Sequence, residues 1–424
     1  MSALRYNTKF AKYVVLYLWI TYLIYLILPY DMDRTGINEI YTIVFLSLVS
    51  LSFYLGCRSI KINSREVARS GYNGVLISDI TLIVLLTLST AFTVFYMRDM
   101  ISQGLGALSL NLGENYVSYQ KNEAHYNSLW GQLYVLFSPV RFFLIPYCII
   151  VYKKMSKEST ILFYVYLVVT FLHSLIQGKN VGLGYIVLMI GVAYFLVCWQ
   201  NNNYRLFKRY VIIGGLLFVA YFIFATSLRV EAYGGSLDDH LISTDIWIIK
   251  IFGLEAGSGI LKLFSYFSHG YKGLNYCLQI PFEWTYGYGG AMGLDGYISQ
   301  YLHVPSQLNN TYPVRMEVIF NYSGLQSWPT VFPWWASDLS FPGVVIFMFF
   351  IGRFMCILLR DALYKSDIYS AVMFSYFFIM IVCLPLNNQL MQTRPTFLAT
   401  TALFVIWLFR TSPKVQRRKH YNSL

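Results

Sequence analysis

The residues of this sequence best suited to chemistry are isolated cations next to acids. Arg229 stands in Ser227-Leu228-Arg229-Val230-Glu231, directly after a long apolar run. Arg315 stands two residues before Glu317 in Tyr312-Pro313-Val314-Arg315-Met316-Glu317. Lys179 and Arg394 occupy two very short polar turns between apolar runs. Guanidinium groups suit a diphosphate because they offer forked donors and stay charged. A ring of such cations would also stabilise charge developing on a diphosphate as it leaves. The plainer use is as interfacial anchors that snorkel to headgroups. Arg229 and Arg315 fit that use less well, since they lie at the margin and inside of a long loop. That loop also holds the acids Glu231, Asp238, Asp239, Glu317 and Asp338 and the histidines at 240, 269 and 303. His303 and Glu317 are the candidate bases for a hydroxyl proton, against a surface or packed role for His303. Trp284, Tyr286, Tyr288, Trp328, Trp334 and Trp335 offer faces on which a sugar ring could stack. Such residues equally populate membrane interfaces.

The elements that must position these groups are membrane helices. Hydrophobic residues make up 57% of the 424 and charged residues 12%. A soluble domain carries about 25% charge, so a set of soluble domains is excluded. A bilayer core needs about 20 mostly apolar residues per helix. Segments 12–30, 40–57, 75–97, 129–152, 159–177, 181–200, 210–228, 341–359, 368–386 and 395–409 meet or approach that. Runs this long and unbroken predict helices and not the alternating strands of a barrel. Segment 246–267, interrupted by Lys250, Glu255 and Lys262, predicts an amphipathic or re-entrant helix pair; if it crosses twice, the span count rises from about ten to twelve. Segment 318–337 lacks charge but carries Asn321, Gly324, Pro329 and Pro333, and reads as ordered loop.

The net charge of +12 orients these spans. With the N-terminus in the cytoplasm, 20 of the 32 Lys and Arg fall in cytoplasmic segments and ten outside, whereas 15 of the 20 acids fall outside. The excess is therefore a topological signal. The basic stretch 414–420 reads as an inner-leaflet anchor, and no nucleic-acid partner is expected. Arg141 and Arg353 lie within spans and need partners there. The first apolar segment is long enough to span and reads as an uncleaved helix. The expected organisation is an N-terminal bundle over 1–228 with an outer loop at 98–128, a large outer loop at 229–340, C-terminal spans over 341–410 and a basic tail at 411–424.

Several chemistries leave no trace. No Gly-rich loop ends in Gly-Lys-Ser/Thr, and Gly287, Gly289, Gly290 and Gly293 form no dinucleotide fingerprint. No His-Glu-x-x-His and no Ser-centred nucleophile elbow is present. Cys57, Cys148, Cys198, Cys356 and Cys383 lie in or beside spans and only Cys277 in the large loop. That spacing predicts packing and neither a disulfide framework nor a zinc site.

As architecture, most of the chain resembles the bacterial O-antigen or oligosaccharide repeat-unit polymerases, the Wzy group. The resemblance lies in ten or more spans, a large outer loop in the C-terminal half and a smaller one earlier. Local echoes are the turn Gln177-Gly178-Lys179-Asn180, Arg229 just past its span, and the stretch from Asn321-Tyr322-Ser323-Gly324 through Ser337-Asp338-Leu339-Ser340-Phe341-Pro342-Gly343. The resemblance implies an all-α polytopic fold like that of C-type glycosyltransferases, in the bacterial inner membrane. Both termini would be cytoplasmic and the active face periplasmic. The implied activity is transfer of a growing glycan from undecaprenyl diphosphate onto a new lipid-linked repeat unit. Arg229 and Arg315 would hold the diphosphate with Lys179 and Arg394 behind them. His303 or Glu317 would serve as base, and Trp284, Trp328, Trp334 and Trp335 would stack on sugars. No metal or cofactor is expected. The expected partners are undecaprenyl-diphosphate-linked oligosaccharides and membrane lipids, with a chain-length regulator and a flippase nearby. A ligase moving a lipid-linked glycan to another acceptor, and a polysaccharide flippase or transporter, are the alternatives.

Overall fold

The computed structural model describes residues 4–27, 36–60, 72, 75–105, 115, 127–232, 246–322, 324 and 328–411. The expected basic tail after Thr411, most of the 98–128 loop, and Asp238, Asp239 and His240 lie outside the described residues; of Arg229 and Glu231 the backbone alone is described.

Every regular element among the described residues is helical. The first half forms α1 (Leu4–Ile27), α2 (Glu39–Arg58), α3 (Asp79–Ser102), a bent pair α4 (Leu129–Leu136) and α5 (Ser138–Val151), α6 (Lys157–Ile176), α7 (Asn180–Gln200) and α8 (Tyr204–Ala232). Short helices follow: α9 (Trp247–Phe252), α10 (Leu254–Tyr266), α11 (Gly270–Cys277), α12 (Met292–Tyr297) and α13 (Tyr312–Phe320). The chain closes with α14 (Val331–Tyr364), α15 (Ile368–Val382) and α16 (Arg394–Thr411). Polar residues at the edges of the apolar runs start several of these helices. Asn38, Ser78, Ser128, Ser156 and Asp367 each accept a backbone N–H of the first turn.

Each of the ten predicted span segments contains a helix. Among the described residues, seven helices are long and apolar enough by themselves to cross a membrane, and the bent α4–α5 pair taken as one span makes up to eight. The chain is thus a multi-pass α-helical membrane protein. The helices expose apolar side chains such as Leu16, Ile20, Leu23, Leu48, Leu216 and Leu217 on their outer faces, as lipid contact requires. The expected pair in 246–267 is present as α9 and α10, which pack on each other, with α10 also packed on α8.

Short connections make neighbouring helices antiparallel and give the bundle two unlike ends. At the basic end, Gln200 donates to the carbonyls of Ala362 and Leu363, Arg410 pairs with Asp367, Arg353 donates to Ser59 and Lys154 to the Tyr72 carbonyl. Arg353 thus reaches the polar end of its helix, and Asp79 accepts from the Ser156 amide and the Ser159 hydroxyl. At the other end the short helices cap the bundle. Asn275 bonds to Asn38 and Thr42, and the Thr330 amide donates to the Gly270 carbonyl.

Helix α14 runs through the centre, against α2 and α15. Its crossing with α2 depends on two glycines. A Cβ on Gly56 would overlap the Phe349 carbonyl, and one on Gly352 would overlap the Phe53 carbonyl. Small residues let helix backbones approach this closely within a membrane. The segment 318–337, expected as loop, is helical at both ends. Asn321, at φ +50°, closes α13 in the left-handed conformation that favours Asn. Pro333 sits in the first turn of α14, where an amide is not needed. Ser340, at φ +62°, breaks α14 just before Pro342 and redirects its first turns over the bundle end. All six cysteines are buried and free.

Gly352→Leu should therefore disrupt the α2–α14 crossing. The expected outcome is a loss of about 1–3 kcal/mol or more, read as a lower melting temperature and less monodisperse protein in detergent. Unchanged melting would show that the crossing tolerates a side chain.

Candidate functional site

The candidate site is carried by a strap of chain, residues 281–297, drawn across the capped end and fixed at three points. Arg315 of α13 holds its start. Nη1 donates to the Pro281 carbonyl at 2.9 Å and Nη2 meets Glu283 Oε1 at 2.8 Å. Asp338 holds its middle. Oδ1 accepts the Thr285 hydroxyl at 2.6 Å and the Gly287 amide at 2.8 Å, and Oδ2 accepts the Gly290 amide at 2.5 Å. The segment before α16 holds its far part. Asn388 donates to the Gly290 carbonyl at 2.8 Å, and the Gly293 amide donates to the Met391 carbonyl at 2.7 Å. Beyond them, the Arg394 guanidinium lies 5.6 Å from the centre of the Tyr297 ring.

Ser337, beside Asp338, ties the strap to α13. Its carbonyl accepts the Thr285 amide and its hydroxyl accepts the Tyr312 amide at 2.9 Å. The glycine-rich run now has a steric explanation. A Cβ on Gly289 would collide with Ser337 and with the Trp334 carbonyl, so a side chain there would lift the strap off α14.

The turn at the middle is strained. Tyr286 has φ +54° and Gly287 φ +95°. A bulky residue in the left-handed region costs roughly 1–3 kcal/mol and persists where its surroundings over-determine it. The carboxylate of Asp338 supplies that surrounding through charge-assisted bonds. The turn displays Trp284 and Tyr286, 58% and 65% exposed, with ring centroids 4.5 Å apart. They form an aromatic shelf on the residues that follow Glu283 in the chain. Arg315 is largely sheltered and Glu283 half open, at 14% and 54% exposure of their side chains.

The neighbouring titratable groups are not bases or nucleophiles. Burial pushes the Tyr312 phenol up to about 12, with Arg315 opposing the rise. Burial likewise raises Tyr297, opposed by Arg394. Both phenols stay protonated. Burial pushes the Cys277 thiol well up despite Arg315, which leaves it inert.

The strap brings together Arg315, Trp284 and, at its other end, Arg394. The remaining predicted residues stand on other elements. Lys179 precedes α7 in the turn from α6, and Arg229 is in the last turn of α8. Glu317 is two residues beyond Arg315, roughly 200° around the helix, and is exposed. His303 is exposed, at φ +51° after a π-helical turn over Ile298–Leu302. Trp328 is half-buried just before α14. Trp334 and Trp335, expected to offer faces to a sugar, are core residues instead. Trp334 is fully buried, and Trp335 is 6% exposed with Phe347 edge-on at 5.1 Å. They are buried because the segment that holds them is the first turn of α14, folded inward by the break at Ser340. Asp338, one of the acids of the long loop, is occupied as the strap's clamp.

Two site residues escaped the sequence reading. Glu283 gains meaning only through Arg315, 32 positions later. Lys272 of α11 is 7% exposed, with Nζ 5.2 Å from the Tyr322 ring centre and 5.8 Å from that of Tyr276. A lysine followed by a tyrosine at i+4 signalled the second contact. No protein-family model, characterised protein or solved structure matches this chain.

Asp338→Asn should free the strap, because the amide keeps one acceptor but loses the charge that strengthens its bonds. A loss of roughly 1.5–3 kcal/mol at that clamp is expected. Limited chymotrypsin digestion should then cut at Trp284 or Tyr286 faster than in the wild type. Equal cutting rates would show that the clamp does not hold the turn.

Proposed function

We propose that this protein is a membrane glycosyltransferase that polymerises undecaprenyl-diphosphate-linked oligosaccharide repeat units into O-antigen or a related surface polysaccharide. The observation that carries the reading is the Arg315–Glu283 pair on the same strap as the exposed Trp284–Tyr286 shelf. On this reading all ten helical segments cross the membrane, both termini are cytoplasmic and the capped end faces the periplasm. No nucleotide sugars are present there, so the donor glycan must arrive already activated on a lipid diphosphate.

The division of labour follows from the side chains. The Glu283 carboxylate now occupies the Nη2 position of Arg315 where a diphosphate oxygen would sit, since both are oxyanions that accept from a guanidinium. An arriving diphosphate displaces it. Arg315 then stabilises charge developing on the leaving group, and the aromatic shelf holds sugar rings. The acceptor hydroxyl oxygen bonds to the donor's anomeric carbon as that carbon's bond to the diphosphate oxygen breaks. The electron pair leaves with the lipid diphosphate, and the hydroxyl proton passes to a carboxylate. The freed Glu283 is favoured for that step over His303 and Glu317, because it alone starts in contact with the diphosphate-binding cation. Arg394, at the far end of the strap, and Arg229 and Lys179, on neighbouring helices, supply further positive charge.

Arg315→Ala and Glu283→Gln should each reduce long-chain glycan by about 100-fold or more, the size of effect seen when one donor to a developing oxyanion is removed. Arg315→Lys should not restore it, because an ammonium lacks the fork. The measurement is glycan chain length in cells at matched protein level. Wild-type ladders from Arg315→Ala would overturn the proposal. A reporter fused after Gln300 should read as periplasmic, and a cytoplasmic signal would overturn the orientation.

A further inference from the structure

A second constellation lies inside the bundle, away from the strap. Helices α4 and α5 meet at a 48° bend around Phe137, where Pro139 cannot continue the hydrogen-bond ladder. Just past the bend, Arg141 is 6% exposed. Its Nη2 donates to the Tyr134 carbonyl at 2.9 Å, and its guanidinium carbon lies 3.4 Å from the Tyr134 ring centre. Its Nε has no hydrogen-bond partner. Among the described residues, no ion pair joins Arg141 to a carboxylate. Ser138, one turn earlier on the same helix face, is fully buried, and its hydroxyl also lacks a partner.

These two donors flank the N-terminus of α5, a 14-residue helix with no side-chain cap. A helix N-terminus, a guanidinium and a hydroxyl share one preference, an anion with several acceptor oxygens. A guanidinium enclosed in a membrane bundle without a counter-charge is strongly unfavourable and marks a functional position by default. The surroundings are polar as well. Tyr134 stacks on Tyr96 at 4.4 Å, its hydroxyl lies 3.4 Å from His173 Nδ1, and Gln177 lies 3.3 Å from His173 Nε2. His173 is three residues from the end of α6, which places the cluster toward the capped end. Leu136, next to the bend, is 65% exposed on the apolar surface of the bundle. A headgroup could therefore approach sideways from the bilayer.

We infer that the α4–α5 break is a binding site for a phosphate-class anion, held by Ser138 and Arg141 at the N-terminus of α5. The site does not depend on glycosyl transfer. Its phosphate comes either from a lipid headgroup or from solution.

The test uses full-length protein purified in non-ionic detergent, titrated separately with phosphatidic acid, inorganic phosphate and pyrophosphate and followed by thermal shift and native mass spectrometry. Saturable binding of at least one is expected, weakened about 10-fold or more in Arg141→Gln and measurably in Ser138→Ala. Ser138→Ala leaves the Arg141–Tyr134 contacts intact, so it serves if Arg141→Gln does not fold. Binding of phosphatidic acid alone assigns the phosphate to a lipid, and competition by the inorganic ions assigns it to solution. No saturable binding of any of the three, or wild-type affinity in Ser138→Ala and in every folded Arg141 variant, overturns the inference.

Discussion

The crossing of α2 and α14 at Gly56 and Gly352 is the contact on which the rest of the capped end depends. Without side chains at these positions the two backbones meet directly, and α14 is fixed along its membrane-crossing length. A helix held that firmly can carry a sharp break near one end. The break at Ser340 turns the first part of α14 inward, and Ser337 and Asp338 sit on that part. Through these two residues α14 holds the start of α13 and the middle of the strap at once. A packing contact among apolar residues is thus transmitted to polar groups at the membrane surface without any intervening flexible segment.

The acids of this region do different work according to their neighbours. Asp338 accepts three bonds from the strap and is spent on holding a strained turn. Glu283 accepts one cation and keeps half its surface open. A carboxylate with three donors is a structural anchor. One with a single displaceable partner is available for exchange with another anion. The same sorting separates Trp334 and Trp335, which fill the core, from Trp284, which stands outside it.

What was legible in the sequence follows the range of the physics. A run of about 20 apolar residues predicts a membrane helix from composition alone, and each of the ten segments so marked contains a helix. Cations near the ends of those runs were also visible one at a time. What was hidden depends on pairs far apart in the chain. Nothing local distinguishes Glu283 from other acids, and its contact with Arg315 exists only after α13 packs beside the strap. The glycines at 287, 289, 290 and 293 fit no nucleotide motif, and their purpose appears only in the fold: Gly287 has positive φ, Gly289 lies against Ser337 and Trp334, Gly290 against Asp338, and Gly293 against Thr393 and Phe397. Trp334 and Trp335 misled because charge-free, proline-bearing chain looks like loop. The prolines instead fall beside and within the first turn of a helix, where they are tolerated.

The fates of the arginines show why net charge carried so little information about the site. Arg353 and Arg410 reach polar partners at the basic end, and the membrane is the reason they are there. Arg315 faces a carboxylate that a phosphate can replace. Among the described residues, Arg141 pairs with no carboxylate. Burying a guanidinium against one carbonyl and one ring leaves its charge uncompensated. That is tolerable in a bundle only if an anion completes the arrangement or if the bend it braces is worth the penalty. A brace alone would not explain why Ser138, on the same face, also holds an unused hydroxyl in a dry environment. Two unmet donors side by side at a helix N-terminus are harder to account for as packing than either would be singly, and an oxyanion satisfies both.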